Sequence, residues 1–359
     1  MKALLINPGG IGDQILLLPL VKVLRDSYPS LEIDLLTEPR SSVIGQLTNL
    51  YRKIKTYDFK AKSPNILKLR EVMRSSYYKY LISTGASLKA NLTTTLSNAE
   101  VKIGFNCGIL SKLCLTHSIK INTNQYASQM FIDLLNPLIH NLQRVKQNIH
   151  IVPDIKLTKE NIEWAKEVLA PRIRDRYYAK KIFIHPGVSK LSIKKNILKG
   201  WSSKHWATLI EKLIEDPNNT VILIGGKDDH ETITEINKRL SFFAKPKNFF
   251  DLSSMDVGIE KLAALISSSD LLVCVDSAPM HIAVALGKKL VAFFGPTNPN
   301  KLLPKDPRFL PVYAEDLACR PCLFDTRKES CSSPVCLEVT PKSMLNAISK
   351  QLGTTAHVS

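Results

Sequence analysis

The run Leu271-Leu272-Val273-Cys274-Val275-Asp276-Ser277-Ala278-Pro279-Met280-His281-Ile282-Ala283 decides how this chain is read. Its first four residues form a short apolar stretch with β-branched and leucine side chains, which reads as a buried strand. A helix opens directly after it. Pro279 suits the first helical turn, where a missing N–H costs nothing, and Ser277 or Asp276 suits the cap. The helix ends near Gly287, and a second apolar strand follows at Leu290-Val291-Ala292-Phe293-Phe294, stopping at Gly295-Pro296-Thr297. A carboxylate, a hydroxyl and an imidazole are thus placed where a strand hands over to a helix. In an open α/β sheet that edge is the ligand-binding edge, and the free amides of a helix start attract an anion.

Outward from this stretch the same alternation recurs. In the first half, strands are expected at Lys2–Asn7, Leu31–Thr37, Lys53–Tyr57, Tyr80–Ser83 and Val101–Gly104. Helices are expected at Asp13–Asp26, Ser42–Leu50, Ile66–Ser75, Leu88–Ser97 and Tyr126–Ile139. Thr158 caps a connecting helix that Pro171 should end. The alternation then restarts with strands at Lys181–Ile184 and Thr220–Ile224 and helices at His205–Ile214, Asp229–Leu240, Ile259–Ile266 and Ser343–Gln351. This is the βαβ pattern of parallel sheets. The expected fold is α/β, with two doubly wound domains: residues 1–155 and 176–340, followed by a last helix within 341–353.

At 359 residues the chain can bury two full cores. No apolar run approaches the roughly 20 residues needed to span a bilayer, and no secretory signal pattern precedes the first strand, so a cytoplasmic location is expected. The formal charge of +17 points to an anionic partner, either nucleic acid, a membrane surface or a phosphorylated glycolipid. No helix-turn-helix, zinc-finger or RNA-binding signature is present, so nucleic acid is not favoured. Among the seven cysteines, Cys319, Cys322, Cys331 and Cys336 fall within 18 residues. That cluster could hold zinc, but its middle gap is short for a zinc ribbon, and reduced thiols packing a loop are the preferred reading.

Three further loops end strands. Asn7-Pro8-Gly9-Gly10-Ile11-Gly12-Asp13 has glycines that let a ligand approach the backbone, and Asp13 either projects toward that ligand or caps its helix. Ile15 breaks the dinucleotide fingerprint, which disfavours NAD. His185-Pro186-Gly187 is followed by a basic loop with Lys190, Lys194, Lys195 and Lys199. Gly225-Gly226-Lys227-Asp228-Asp229 is not a phosphate-binding P-loop, because Lys227 precedes Asp instead of Ser or Thr. No D-x-D pair occurs for a metal-diphosphate clamp.

Together these pieces resemble the ADP-heptose:lipopolysaccharide heptosyltransferases, glycosyltransferase family nine. The resemblance rests on G-G-I-G-D at residues 9–13, on Gly85 to Phe105, and on H-P-G at 185–187 with Lys199-x-Trp201. It rests further on D-S-A-P-M-H-I-A-x-A-L-G from Asp276 and on Phe294-Gly295-Pro296-Thr297. The cysteine pattern looks like that of one branch. Thr84 stands where the family often has Asp, Ser202 where it often has Pro, and Ala278 where it has Gly.

The resemblance implies a GT-B fold, in which two Rossmann-like domains face each other across a cleft and the last helix often packs back on the first. It implies an inverting transfer of heptose from ADP-heptose, with no tightly bound metal or other cofactor. The acceptor would be the lipopolysaccharide core precursor at the cytoplasmic face of the inner membrane, and the enzyme a peripheral monomer. Asp13 matches the base. Lys199 matches the phosphate-binding lysine, and Asp276, Ser277, Ala278 and His281 would line the donor-sugar pocket. Asp228 or Asp229 would serve ribose, and the backbone near Val257 adenine. Gly12, Lys60, Lys62, Arg70 and Lys89 would face the acidic acceptor. A related transferase with another nucleotide sugar, or a non-catalytic nucleotide-binding protein, fits the same fold.

Overall fold

The computed structural model describes residues 1–143, 151–173, 179–194, 197–240, 246–323 and 331–353. The chain divides into two compact units, Met1–Lys156 and Leu157–Ser359. Each is built on a six-stranded, all-parallel sheet.

The first unit runs β1 (Lys2–Asn7), α1 (Ile11–Ser27), β2 (Glu32–Thr37), α2 (Ser42–Gln46), β3 (Lys53–Thr56), α3 (Ile66–Arg74), β4 (Tyr80–Ser83), α4 (Leu88–Thr94), β5 (Val101–Phe105), α5 (Ser111–Cys114), β6 (His117–Ile119) and α6 (Ala127–Ile132). The sheet order is β3-β2-β1-β4-β5-β6. Alternate residues of β1 feed different cores, as a pleated strand buried on both faces requires. Ala3 and Leu5 join Leu17, Leu20 and Leu24 of α1, while Leu4 and Ile6 join Met73 of α3 and Tyr78.

The second unit runs α7 (Lys159–Ile173), β7 (Lys180–His185), α8 (Lys190–Lys194), α9 (Ser203–Ile214), β8 (Asn219–Leu223), α10 (His230–Arg239), β9 (Phe249–Asp251), α11 (Ile259–Ser267), β10 (Leu271–Val275), α12 (Ala278–Ala285), β11 (Leu290–Phe294), α13 (Pro299–Leu302), β12 (Phe309–Tyr313) and α14 (Pro341–Leu352). Its order is β12-β11-β10-β7-β8-β9. The central strands β10 and β11 are buried throughout, which is why they read as continuous apolar runs. In both units the order reverses beside the first strand, at β1/β4 and β7/β10. Such a switch point opens a crevice at the carboxyl ends of the strands.

Several expectations need correction. Strands β6, β9 and β12 were not foreseen. All three lie at sheet edges, are only partly buried, and so carry weak patterns. β12 even contains Pro311, which an edge strand tolerates. Pro171 does not end α7 but lies within its last turn, where its missing N–H forfeits a single helical bond. The helix expected over Tyr126–Ile139 stops at Ile132 and tightens into a 3₁₀ turn at Asp133–Leu135. Asn136 N–H bonds the Asp133 carbonyl there, and the next residue, Pro137, has no N–H to carry an α-helix on. The last helix, α14, spends its apolar face inside the second unit. Met344, Ala347 and Ile348 sit in that core with Trp206, Val291 and Phe293. Among the described residues no helix is long and apolar enough to cross a membrane.

Candidate active site

In the first unit the loop after β1 is held from beneath by buried polar side chains. Asn7 Nδ2 donates to Gln14 Oε1 at 3.1 Å, and Asn7 Oδ1 accepts from the Gly9 amide at 3.0 Å. Thr37 Oγ1 lies 2.9 Å from the Asn7 carbonyl, Ser41 Oγ donates to the Gly9 carbonyl at 3.0 Å, and Thr84 Oγ1 lies 3.2 Å from Asn7 Oδ1. All five anchoring side chains are buried, where paired polar groups fix one geometry. Thr84, where the family often has Asp, is thus part of this framework.

On that framework Asp13 occupies the third position of α1 and is exposed. Its Oδ2 accepts the Gly10 amide at 2.7 Å. Asp13 therefore does cap the helix, as one of its two readings held, and the bond fixes the carboxylate at the loop surface. Gly9 is required for this placement: a Cβ there would stand 2.3 Å from Asp13 Cβ and 2.6 Å from Oδ2. Gly12 lies half-buried one position earlier on α1. The basic residues expected around the acceptor are exposed but spread out. Lys60 and Lys62 follow β3, Arg70 is on α3, and Lys89 is on α4.

In the second unit the donor candidates converge. Lys199 Nζ lies 3.4 Å from Asp276 Oδ2, and Thr297 Oγ1 donates to the same oxygen at 2.9 Å. Asp276 and Thr297 are buried and Lys199 nearly so. Lys199 is therefore not a lone cation awaiting phosphate; Asp276 already answers part of its charge. Gly295 permits the approach, because its Cα side faces Leu337 and the Leu198–Lys199 backbone. Ser277 stands at the cap position of α12, but its hydroxyl turns back toward the Val275 carbonyl at 3.4 Å. No side chain caps the amide end of this helix, beside half-buried Ala278, while His281 is buried one turn further along.

Asp228 and Asp229, the two ribose candidates, differ in place. Asp229 is buried; its Oδ2 lies 3.3 Å from His185 Nε2 and accepts the Gly226 amide at 2.9 Å. Burial alone would raise its pKa, but the His185 charge and these hydrogen bonds hold the carboxyl below its ordinary value. Gly187 makes room for it, since a Cβ there would fall 1.7 Å from Asp229 Oδ1. Asp229 thus ties the loops after β7 and β8 together. Asp228 is exposed and accepts the Lys190 amide at 3.2 Å. Half-buried Val257 precedes α11, next to an exposed Lys227–Asp256 pair at 2.7 Å. Lys195 of the basic loop lies outside the described residues.

The sequence reading missed two supports. Thr297 stood inside a quoted motif without a role. Arg320 carried no signal beyond its place between two cysteines. Its Nε donates to the Gly295 carbonyl at 2.6 Å and its Nη2 to the Thr297 carbonyl at 2.9 Å, with the guanidinium 4.3 Å from the Tyr313 ring centre. The Cys322 amide adds a bond to the Pro296 carbonyl at 3.0 Å. The cysteine segment therefore buttresses the loop that holds Asp276. Its thiols are free. Burial, then the neighbouring Cys322 and Cys319, push the Cys336 thiol up. Among the described residues no group of three or more His, Cys, Asp or Glu is arranged to hold a metal ion.

Comparison with known proteins gives these loops a context. The model of glycosyltransferase family 9 (heptosyltransferase) matches residues 66–332. Lipopolysaccharide heptosyltransferase 3 of Escherichia coli is 26% identical over 299 residues, 80% of this chain and 81% of that protein. Lipooligosaccharide heptosyltransferase 2 of Haemophilus ducreyi is 23% identical over 308 residues, 84% and 85% of the two chains. The solved structure of E. coli ADP-heptose lps heptosyltransferase II superposes with a TM-score of 0.76, at 19% identity, covering 98% of this chain and 99% of that one. That fold likeness carries the expected GT-B architecture of two Rossmann-like units. With the family model covering well over half of its length, the chain belongs to glycosyltransferase family 9 and is a glycosyltransferase.

Proposed function

We propose that this enzyme moves a heptose from ADP-heptose to the lipopolysaccharide inner core with inversion at the anomeric carbon. The observation that carries the reading is the Lys199–Asp276–Thr297 constellation beside the amide end of α12, which no side chain caps. An acceptor hydroxyl oxygen attacks the anomeric carbon as Asp13 takes its proton, and the bond from that carbon to the ADP oxygen breaks. The leaving diphosphate gains negative charge, which Lys199 and the α12 amides stabilise. Asp276 accepts hydrogen bonds from donor hydroxyls while holding Lys199 in place. Ser277, Ala278 and His281 shape the same pocket. Asp228, the exposed member of its pair, takes the ribose hydroxyls, and the backbone near Val257 takes adenine.

The acceptor is an acidic, lipid-linked sugar, so the enzyme works as a peripheral protein at the cytoplasmic face of the inner membrane. Gly12, Lys60, Lys62, Arg70 and Lys89 provide its anionic acceptor with cations and close backbone approach. The first test is thermal unfolding with ADP, UDP and GDP at saturation. Stabilisation by ADP above the others supports an ADP-sugar donor; a larger shift with UDP or GDP overturns the heptose assignment. Asp13→Ala should then keep the ADP shift and lose transfer. Near-normal turnover in that variant removes Asp13 as the base.

A further inference from the structure

The first unit exposes large apolar side chains where a folded surface ordinarily hides them. Leu92 of α4 is 51% exposed, and Ile109, Leu110 and Leu113 at α5 are 85%, 46% and 81% exposed. Clusters of this kind mark interaction surfaces. They are not carried on slack chain. Asn91 Nδ2 donates to the Phe105 carbonyl at 3.0 Å and to Ser111 Oγ at 2.9 Å, and Thr94 Oγ1 lies 3.1 Å from the Cys114 carbonyl. Asn91, Thr94 and Ser111 are buried. The inner sides of both short helices are thus clamped by polar bonds, and their outer sides are held out to solvent in fixed positions.

Charge and placement identify what this surface meets. Between Gly85 and Lys120 the cations Lys89, Lys102, Lys112 and Lys120 face a single acidic residue, Glu100. Lys89 and Lys112, on the two helices themselves, are exposed. Apolar residues interleaved with lysines are what a surface resting on anionic lipid headgroups needs. A second copy of the chain would bring the same lysines against each other, because a two-fold contact is self-complementary in position. Both helices follow the carboxyl ends of their strands, the edge that carries Asp13. Gly85, at the end of β4, sits against the Asp13 loop: a Cβ there would lie 3.7 Å from Pro8 Cγ.

We propose that the outer sides of α4 and α5 dock on an anionic phospholipid bilayer, with Leu92, Ile109, Leu110 and Leu113 entering the headgroup–acyl boundary and Lys89 and Lys112 pairing with phosphates. The inference rests on the lipid-linked acceptor proposed above and names the surface that brings the Asp13 loop to it.

The test is flotation of the full chain with vesicles of phosphatidylethanolamine and phosphatidylglycerol, against vesicles of phosphatidylcholine. The wild type should float with the anionic vesicles, and an I109S/L113S variant should bind them at least about tenfold more weakly. Both should show the same melting temperature and the same ADP-induced shift, since the two positions are exposed. Absence of binding by the wild type overturns the proposal, as does unchanged binding by the variant. So does a wild-type dimer in light scattering that the two substitutions convert to monomer, which would assign the patch to a second copy. An ADP shift without vesicle binding would sink the docking surface alone; vesicle binding without an ADP shift would sink the donor assignment alone.

Discussion

Lys199 and Asp276 are separated by 77 residues of chain, yet their side chains meet at 3.4 Å in the second unit. The pair forms because β7 and β10 are neighbours in the sheet although β8, β9 and the helices between them intervene in chain order. Thr297, from the end of the next strand over, closes the group. The ends of two adjacent strands and the segment leading into α9 thus contribute one carboxylate, one hydroxyl and one cation to a single point.

Removing one partner of this pair should cost stability as well as donor affinity. Lys199→Ala leaves Asp276 buried with Thr297 alone and should destabilise the fold by about 1–3 kcal/mol. A double-mutant cycle with Asp276→Asn, read from denaturant midpoints and ADP affinity, should give a coupling of about 0.5–3 kcal/mol. Strict additivity of the two substitutions would refute the pair.

Gly9→Ala should damage catalysis out of proportion to its size. The added methyl would overlap the Asp13 side chain and displace its carboxylate. An angstrom of misplacement can cost about 100-fold in rate. Turnover should fall by that order, while the ADP-induced thermal shift, set by residues of the other unit, stays as in the wild type. Unchanged turnover would count against Asp13 as a positioned base.

Arg320→Lys keeps the charge but loses the fork that spans the Gly295 and Thr297 carbonyls. The Gly295–Thr297 loop should loosen, and the donor KM should rise several-fold with a smaller change in kcat. Equal KM values for variant and wild type would show that the cysteine segment does not support the donor loop.

Stability below pH 4 should depend on Asp34, on β2. Its side chain is almost wholly buried, with Arg52 Nη2 and the Tyr78 hydroxyl each 2.6 Å from Oδ2 and Lys55 Nζ at 3.3 Å. Burial alone would raise its pKa; the bonds from Tyr78 and Arg52 and the Lys55 charge outweigh that and hold it below the ordinary 3.8. Burial and the same carboxylate push the Tyr78 phenol up to about 12. The unfolded chain then binds the Asp34 proton more tightly than the folded one. The stabilisation is complete above the ordinary value and is lost as pH falls through the lower folded value. Asp34→Asn should destabilise the protein at pH 7 by about 2–4 kcal/mol and flatten the acid limb of its stability curve. An acid limb of unchanged slope would remove Asp34 from that account.

The central strands were legible because burial on both faces writes an unbroken apolar run, as in Leu290–Phe294. Three of the four edge strands were not, because a half-covered strand writes a weak one: β12 has a proline, and β6 and β9 have three residues each. The same limit governed the site. Glycine-rich loops after strands marked where Asp13 and Asp229 would lie, since close backbone approach leaves a mark in residue type, and the hand-over from an apolar strand to a Pro-started helix marked Asp276. What each carboxylate touches was not marked. Asp229 reads as a ribose ligand or a helix cap, and its contact with His185 on the adjacent strand is written only in the tertiary structure.

The sequence by itself determined the α/β class, the two-unit organisation and the loops that carry the chemistry. These follow from local periodicity and from residues whose backbone or burial requirements are local. The tertiary structure alone decided that Lys199, Asp276 and Thr297 share one point, that Arg320 clamps their loop, that α14 completes the second core, and that Ile109 and Leu113 stay uncovered. Each of these depends on sheet order, and a parallel sheet sets neighbours that chain order does not contain.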